Sequence, residues 1–220
     1  MKDLIKNTPV GYTQRTLNAK MGAINGMEVA FEFAGTNIES GIKKVLGVTD
    51  VSCFNRFGIK GPQAAKWLQS HKFKTPAEIN TWVEGKGCLV MRLGGSEFLL
   101  EDQYGASNME KMASFDQAKV AGAYQVARAD AAFLLSGSEV LNMLSELCML
   151  DLCEGALPKD GLVMTQVAGI SATLIRQNLN NASVFRLWCD GTYGAYMWDM
   201  MLEIAKELGG GAVGFTSHFK

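Results

Sequence analysis

Side chains that could bind or transform a ligand are few in this sequence. Arg92 and Glu97 flank the dipeptide Gly94-Gly95, and Arg186 lies in a separate apolar segment. If both segments are strands, the alternation of side chains could turn the arginines inward, where guanidinium groups bind anionic or carbonyl oxygens. The alternative is a solvated strand face. We take Arg92, Glu97 and Arg186 as the candidate ligand-binding residues.

Sequence patterns for catalysis or metal binding do not occur. The five cysteines form no CxxC pair, and His71 and His218, the two histidines, lie far from every cysteine in the chain. A zinc site or a cysteine–histidine dyad is therefore not expected. No glycine-rich phosphate loop and no GxSxG motif is present. The pair Glu101-Asp102 is expected to face solvent. The sequence thus predicts no catalytic residue and no metal site.

Composition predicts a globular chain and gives no support for binding to nucleic acid or anionic lipid. The chain has 220 residues, of which 48% are hydrophobic and 20% charged, and its net charge is −1. Extended disorder is excluded by this composition, and no basic excess favours nucleic acid. The first residues lack the apolar core of a signal peptide, and no stretch is long enough to span a membrane. We expect a cytoplasmic protein with partly buried, reduced cysteines.

The pattern of apolar residues predicts alternating hairpins and helices. Residues 51–59 are predicted as a strand, and 88–93 and 96–101 as a hairpin that turns at the two glycines. A helix over 138–148 is predicted to begin with a serine cap. The strongest helix spans 193–208. Its predicted core face consists of Tyr193, Met197, Met200, Met201, Ile204 and Leu208, and its predicted solvent face of Asp199, Glu203 and Lys206.

An internal similarity predicts a duplicated unit. Residues 57–68 can be laid over 133–144, and a Tyr-Gly-Ala triplet occurs at 104–106 and again at 193–195. We interpret the chain as two copies of a strand–helix–strand–strand–helix unit, at about 48–115 and 124–208, within one domain over 1–211. The remaining residues, 212–220, are expected to be a tail that is frayed or laid on a partner. This organisation predicts an α+β fold with mainly antiparallel sheets.

Several short motifs, in this order and spacing, resemble a known family. Residues 47–52 (GVTDVS) and 61–68 (GPQAAKWL) resemble the opening of the folate-dependent aminomethyltransferases, such as the T-protein of glycine cleavage. Residues 93–100 (LGGSEFLL), 150–152 (LDL) and 193–199 (YGAYMWD) are more similar to the gamma subunit of heterotetrameric sarcosine oxidase, a shortened relative. The resemblance implies duplicated βαββα-like units around a central opening, as in the aminomethyltransferase folate-binding domain.

The resemblance also implies a role, and the departures from the family limit it. The family's hairpin carries a catalytic aspartate, whereas residues 93–100 contain none. The family's folate-anchoring glutamate should fall near 175–178, and none is there. Holding a pterin requires an acceptor for its ring N–H groups, and orienting the amine requires the aspartate. The expected role is therefore a gamma-type subunit without catalytic activity of its own.

Three hypotheses follow from the resemblance. In the first, the chain joins larger flavin- and folate-carrying subunits that oxidise sarcosine or a related N-methyl amine and pass the one-carbon unit to tetrahydrofolate; flavins are then expected only on the partners. In the second, the chain is a stand-alone tetrahydrofolate-binding aminomethyltransferase or demethylase that uses Arg92, Glu97 or Arg186 as ligand contacts. In the third, it is a regulatory or iron–sulfur-repair folate binder, but only Lys86-Gly87-Cys88 matches that family's motif.

Overall fold

Residues 5–112, 120–153 and 155–219 are described by a computed structural model of the chain. These residues belong to two units. The first unit comprises Met1–Cys53, Asp130–Lys159 and Val163–Lys220, and the second comprises Phe54–Ala129 and Asp160–Leu162. The polypeptide therefore leaves the first unit at Phe54 to form most of the second unit, returns at Asp130, and contributes Asp160–Leu162 to the second unit before it returns again.

The elements are as follows in chain order. The strands are β1 Lys6–Asn7, β2 Lys20–Ile24, β3 Met27–Glu32, β4 Gly47–Asp50, β5 Arg56–Lys60, β6 Thr81–Gly85, β7 Cys88–Arg92, β8 Glu97–Asp102, β9 Tyr124–Val126, β10 Asp130–Ser136, β11 Leu162–Val167, β12 Ile170–Leu179, β13 Ala182–Asp190 and β14 Gly211–Ala212. The helices are α1 Gly11–Thr16, α2 Thr36–Leu46, α3 Ala64–Ser70, α4 Asn108–Met112, α5 Val140–Leu147, α6 Gly194–Glu207 and α7 Thr216–Phe219.

Three sheets organise these strands. The first unit contains a three-stranded sheet, in the order β1-β3-β2, and a six-stranded sheet, in the order β11-β12-β13-β10-β4-β14. The second unit contains a five-stranded sheet in the order β6-β7-β8-β5-β9. The pairs β1–β3 and β4–β14 are parallel, whereas β10 pairs antiparallel with both β13 and β4 and every pair in the five-stranded sheet is antiparallel. The predicted α+β class with mainly antiparallel sheets is confirmed.

Each unit has its own apolar core. In the first unit, α5 and α6 cover one face of the six-stranded sheet, where Phe133, Leu187 and Met201 are fully buried. In the second unit, α3 and α4 contribute to a core that includes Ile59 and Leu100. Fully burying one such side chain stabilises the fold by about 1.5–3 kcal/mol. The two cores therefore hold the helices of each unit against its sheet.

The two units contain runs of elements in the same order. The run β5-α3-β6-β7-β8-α4 matches β10-α5-β11-β12-β13-α6, and the sheet order β6-β7-β8-β5 matches β11-β12-β13-β10. Each run has one strand more than the predicted unit. Gly61 and Gly137, which align in the sequence similarity, both connect strand to helix with positive φ angles of 119° and 112°. An origin by duplication stays a prediction that these facts support.

Two boundary predictions are wrong. Residues 51–59 are not one strand, because β4 ends at Asp50 and β5 begins at Arg56 in a different sheet. Apolar residues continue across this crossover, so the pattern hides the break. The prediction that a serine caps α5 is also wrong, since the helix begins after Glu139 and no side chain caps it. The first Tyr-Gly-Ala triplet is also followed by a helical pattern in the sequence, over 107–115; α4 lies in this range, and residues 113–115 lie outside the described residues.

The core face of α6 is rotated relative to the prediction. Met197 and Met201 are buried as predicted, together with Trp198, Leu202 and Ala205. Tyr193, predicted to lie in the core, is 48% exposed. Packing against β4 and β10 therefore selects a different stripe of the helix from the one that periodicity alone suggests.

The C-terminal residues are neither frayed nor separate from the fold. Strand β14 pairs with β4, and the backbone N–H groups of Val213 and Phe215 donate to Val48 and Ala30 at 2.9 Å each. Phe215 is completely buried. The expectation of a frayed tail, or one laid on a partner, is wrong because this segment supplies a strand and core side chains to its own unit.

Candidate functional site

Arg92 lies at the end of β7 and binds the turn that follows it. Its Nε donates to the carbonyl of Gly94 at 3.3 Å and one Nη donates to Gly95 at 2.8 Å. The other Nη donates to the carbonyls of residues 76 and 77. The guanidinium carbon also lies 5.6 Å from the centre of the Phe98 ring. These contacts occupy donors on all three nitrogens, so Arg92 fixes the hairpin turn in this structure.

Glu97 begins β8 on the other side of the same turn. Its backbone carbonyl accepts from the N–H of Leu93 at 2.9 Å, which closes the hairpin. Its Cα is paired with that of Lys60 in β5, and its side chain is partly exposed. Arg92 and Glu97 therefore flank one turn of the second unit.

Arg186 lies in the first unit, on the face of the six-stranded sheet opposite the apolar core. Its neighbours in the cross-strand row are Leu134 and Ile175, and it is only 1% exposed. The next row on this face contains Ser136 and Gln177, which are both 3% exposed. Strand alternation places these side chains away from α5 and α6. We call the group Thr49, Ser136, Gln177 and Arg186 the polar sheet face.

Several polar atoms at this face and beside it have unmet hydrogen-bonding capacity. Within 5–112, 120–153 and 155–219, the hydroxyls of Thr49 and Ser136 and the Nε2 of His218 have no hydrogen-bond partner. Burial, with additional repulsion from Lys43 and Arg186, lowers the pKa of His218 to about 3. The imidazole is therefore neutral at physiological pH. Unpaired buried polar groups are costly, so their concentration here marks a site for water or a polar ligand.

The buried carboxyl of Asp50 lies on the other face of the same sheet and is fully engaged. It accepts from the Thr8 hydroxyl at 2.5 Å, from Gln14 Nε2 at 3.0 Å and from the backbone N–H of Ser52 at 2.9 Å. Burial raises the pKa of Asp50, while these hydrogen bonds oppose the shift. The carboxyl connects the N-terminal segment to β4, which is a structural role.

Glu101 and Asp102 are both completely buried, so the expectation that they face solvent is wrong. Arg56 lies directly opposite Glu101 in the sheet and donates to it from Nε at 2.6 Å. Asp102 accepts from the backbone N–H of Met109 at 2.8 Å, near the start of α4. Both faces of β8 are covered, and strand alternation does not reveal such double burial.

Sequence reasoning proposed Arg186 but none of the other residues of the polar sheet face. The available signal was weak, because Thr49, Ser136 and Gln177 each stand one or two positions from apolar residues in short polar–apolar stretches. Alternation shows that such residues share a face, but an exposed face would show the same pattern. Only the packing establishes that this face is buried.

Other kinds of site are not seen in the part of the chain that the structure describes. No group of three His, Cys, Asp or Glu side chains there is arranged to hold a metal ion. In the same residues, every helix is too short or too polar to cross a membrane. The five cysteines form no disulfide.

Comparisons with known proteins place this geometry in context. The family model of the GCVT N-terminal domain matches residues 12–218. The structure is similar to the glycine cleavage system aminomethyltransferase T from Bartonella henselae, with 16% identity, a TM-score of 0.75, and coverage of 97% of this chain and 61% of that one. It is also similar to a heterotetrameric sarcosine oxidase from Corynebacterium sp. U-96 in complex with pyrrole 2-carboxylate.

That second similarity has 15% identity and a TM-score of 0.65, and it covers 94% of this chain and 97% of the sarcosine oxidase chain. This chain therefore spans less than two thirds of the aminomethyltransferase but nearly the whole of the sarcosine oxidase chain. A comparison with curated protein sequences finds no match. The predicted aminomethyltransferase-like fold is confirmed.

Proposed function

Because the chain belongs to the GCVT N-terminal domain family, we propose that it is a non-catalytic, gamma-type subunit of a heteromeric sarcosine-oxidase-like flavoenzyme. Larger partner subunits would carry the flavins and oxidise sarcosine or a related N-methyl amine. The one-carbon unit would pass to tetrahydrofolate. This chain would contribute a folded surface to the assembly rather than reacting groups. We place the assembly in the cytoplasm, since five cysteines without a disulfide suit a reducing compartment.

The observation that supports this proposal most directly is the use of the buried carboxylates. In the described residues these are Glu39, Asp50, Glu101 and Asp102, and each accepts a hydrogen bond from a group of its own unit. A general base must instead reach a proton of the substrate. The length match supports the same proposal, because the chain covers 97% of a chain of a heterotetrameric enzyme.

Tetrahydrofolate binding is the second candidate function, and the polar sheet face favours it. The reduced pterin of tetrahydrofolate carries one-carbon units, and its ring presents both hydrogen-bond donors and hydrogen-bond acceptors to the protein. The hydroxyls of Thr49 and Ser136 can accept from ring N–H groups, and Arg186 can donate to a carbonyl oxygen. These groups would replace the missing glutamate. In this alternative the chain is a stand-alone aminomethyltransferase-like or demethylase-like protein. Glu97 lies in the second unit and remains a predicted ligand contact.

Arg92 is less suited to ligand binding than the sequence suggested. Its hydrogen bonds to four carbonyl groups would have to break before it could turn to a ligand. We therefore propose Arg92 as the residue that sets the hairpin geometry beside Glu97, rather than as a ligand contact.

Two measurements on the intact chain separate these proposals. The first is affinity purification from the native organism, followed by visible absorption and mass determination of the co-eluting proteins. A stoichiometric flavoprotein supports the subunit proposal, and isolation as a monomer free of flavoprotein contradicts it.

The second measurement is thermal unfolding with excess tetrahydrofolate. A ligand present at 100 times its dissociation constant stabilises by about 2.7 kcal/mol, which corresponds to roughly 5–10 °C for a chain of this size. Substituting Thr49→Val should reduce that shift if the polar sheet face holds the pterin. A saturable shift that Thr49→Val does not change would contradict the assignment to this face.

A further inference from the structure

A groove between α1 and α6 is not used by any function proposed above. It has a volume of about 490 Å³ and is lined by Thr13, Thr16, Leu17, Trp198, Asp199, Leu202, Glu203 and Lys206. All of these residues belong to the first unit. Its volume falls within the roughly 300–1,000 Å³ of ordinary ligand pockets.

The charged residues of this groove follow one line along α6. Asp199, Glu203 and Lys206 are separated by four and three positions, so they lie on one stripe of the helix. The rise of 1.5 Å per residue spaces them by about 6 Å and about 4.5 Å along the axis. All three are exposed, and they make no ion pair with any residue that the structure describes. Two carboxylates and one ammonium therefore remain available to a ligand.

The apolar wall of the groove includes a second feature that points to a ligand. Trp198 is completely buried and lines the groove, yet its indole N–H has no acceptor among the described residues. Leu202 is 4% exposed and Leu17 is 40% exposed, and both contribute apolar surface to the groove. The groove thus combines an apolar wall, an unused buried donor and charges of both signs.

From these features we infer that the α1–α6 groove binds an amino-acid zwitterion with an apolar side chain. The ammonium group lies between Asp199 and Glu203, which are one helical turn apart. The carboxylate lies beside Lys206, about one turn further along. The side chain of the ligand packs on Leu17, the exposed apolar residue of the groove. This site is independent of the proposed polar sheet face and of any partner subunit.

The test compares three probes that share an isobutyl side chain and differ only in charge. L-leucine is the zwitterion, isopentylamine lacks the carboxylate, and isocaproate lacks the ammonium. Each is titrated into the isotopically labelled intact chain, and the backbone amides of α1 and α6 and the indole N–H of Trp198 are followed by NMR. We expect L-leucine to bind more tightly than isopentylamine, and isocaproate to bind least, because the groove carries one excess negative charge.

Substitutions assign the charges to the named residues. An exposed ion pair contributes a factor of about two to five in affinity. Lys206→Met should weaken L-leucine by that factor and leave isopentylamine unchanged or tighter. Asp199→Asn should weaken both of these probes. Glu207→Gln, an exposed residue of the same helix outside the groove, is the matched control and should change neither.

Three outcomes would overturn the inference. The first is that no probe shifts the α1, α6 or indole resonances. The second is equal binding of all three probes, which would reduce the groove to an apolar surface without charge recognition. The third is an effect of Glu207→Gln as large as that of Asp199→Asn, which would indicate a general field of the helix rather than a site.

Discussion

Replacing Glu39 should release the C-terminal segment from the first unit. The Glu39 carboxylate is completely buried. One oxygen accepts from the backbone N–H groups of Phe33 and Ala34 at 2.5 and 3.1 Å. The other accepts from the backbone N–H of Gly214 at 2.9 Å and from the Ser217 hydroxyl at 2.6 Å. One side chain thus joins the loop before α2 to the segment over 211–219.

The magnitude follows from the partners, which are all donors. In Glu39→Gln the amide NH₂ must face one of these two pairs of donors. The Ser217 hydroxyl can rotate to accept, but the N–H of Gly214 then loses its acceptor. Hydrogen bonds to a charged group are worth about 1.5–3 kcal/mol each, and an orphaned buried N–H costs about 1–3 kcal/mol. We expect a loss of about 2–4 kcal/mol in the free energy of unfolding, or roughly 5–15 °C in Tm.

Urea unfolding measures the global loss, and amide hydrogen exchange over 211–219 measures the local one. Ser217→Ala removes a single contact and should cost only about 1 kcal/mol. Glu207→Gln, which is exposed, is the neutral control. A Glu39→Gln protein within about 1 kcal/mol of wild type, or with unchanged exchange over 211–219, would refute the reasoning that this carboxylate holds the segment.

Three further predictions concern backbone strain, a buried acid and a thiol. Gly137→Ala should lower the free energy of unfolding in urea by about 2–3 kcal/mol, because the φ of 112° suits only glycine and an added Cβ would overlap a carbonyl of α2. Gly95→Ala is the control and should be neutral, since a Cβ added there would have no atom within 4 Å. Burial raises the pKa of Asp50 from its ordinary 3.8, so the folded chain holds this proton more tightly than the unfolded chain. The protonated Asp50 carboxyl therefore stabilises the fold most at and below about pH 4, and this stabilisation is lost as the pH rises through the pKa of the folded state. Relative to Asp50→Asn, the wild type should lose free energy of unfolding as the pH rises from about 4. A difference in unfolding free energy that does not change with pH would contradict this prediction. Cys153 is the one exposed cysteine, and a hydrogen bond with Asp151 raises the pKa of its thiol. Asp151→Asn should therefore accelerate labelling of this thiol by a thiol-specific reagent at neutral pH, and an unchanged rate would show that Asp151 does not set the reactivity of Cys153.

The sequence predicted the elements that have a local signal. The hairpin around Gly94-Gly95 and the long helix α6 were found because glycines between two apolar runs indicate a turn and a helix repeats every 3.6 residues. The crossover after Asp50 was missed because apolar residues continue across it. The N-terminal strands β2 and β3 were not proposed, since their short alternation is weak.

The candidate ligand residues show the same division. Arg92 and Glu97 were chosen because they flank a predicted hairpin, and the structure places both at that turn. In the structure, the guanidinium of Arg92 also donates to the carbonyls of residues 76 and 77. The sequence could not predict these contacts, because they depend on the position of a loop that is distant from Arg92 in the chain. Arg186 was chosen on strand alternation, and its burial depends on the covering of the second sheet face.

The sequence by itself determined the α+β class and the family resemblance, because both depend on spacing along the chain. Only the tertiary structure decided which polar groups are buried. Alternation in β8 and β13 shows which side chains share a face, but it does not show that both faces are covered. Glu39 and Glu101 therefore resembled ordinary surface acids in the sequence. Their buried partners lie 175 and 45 positions away in the chain, and only folding brings such residues together.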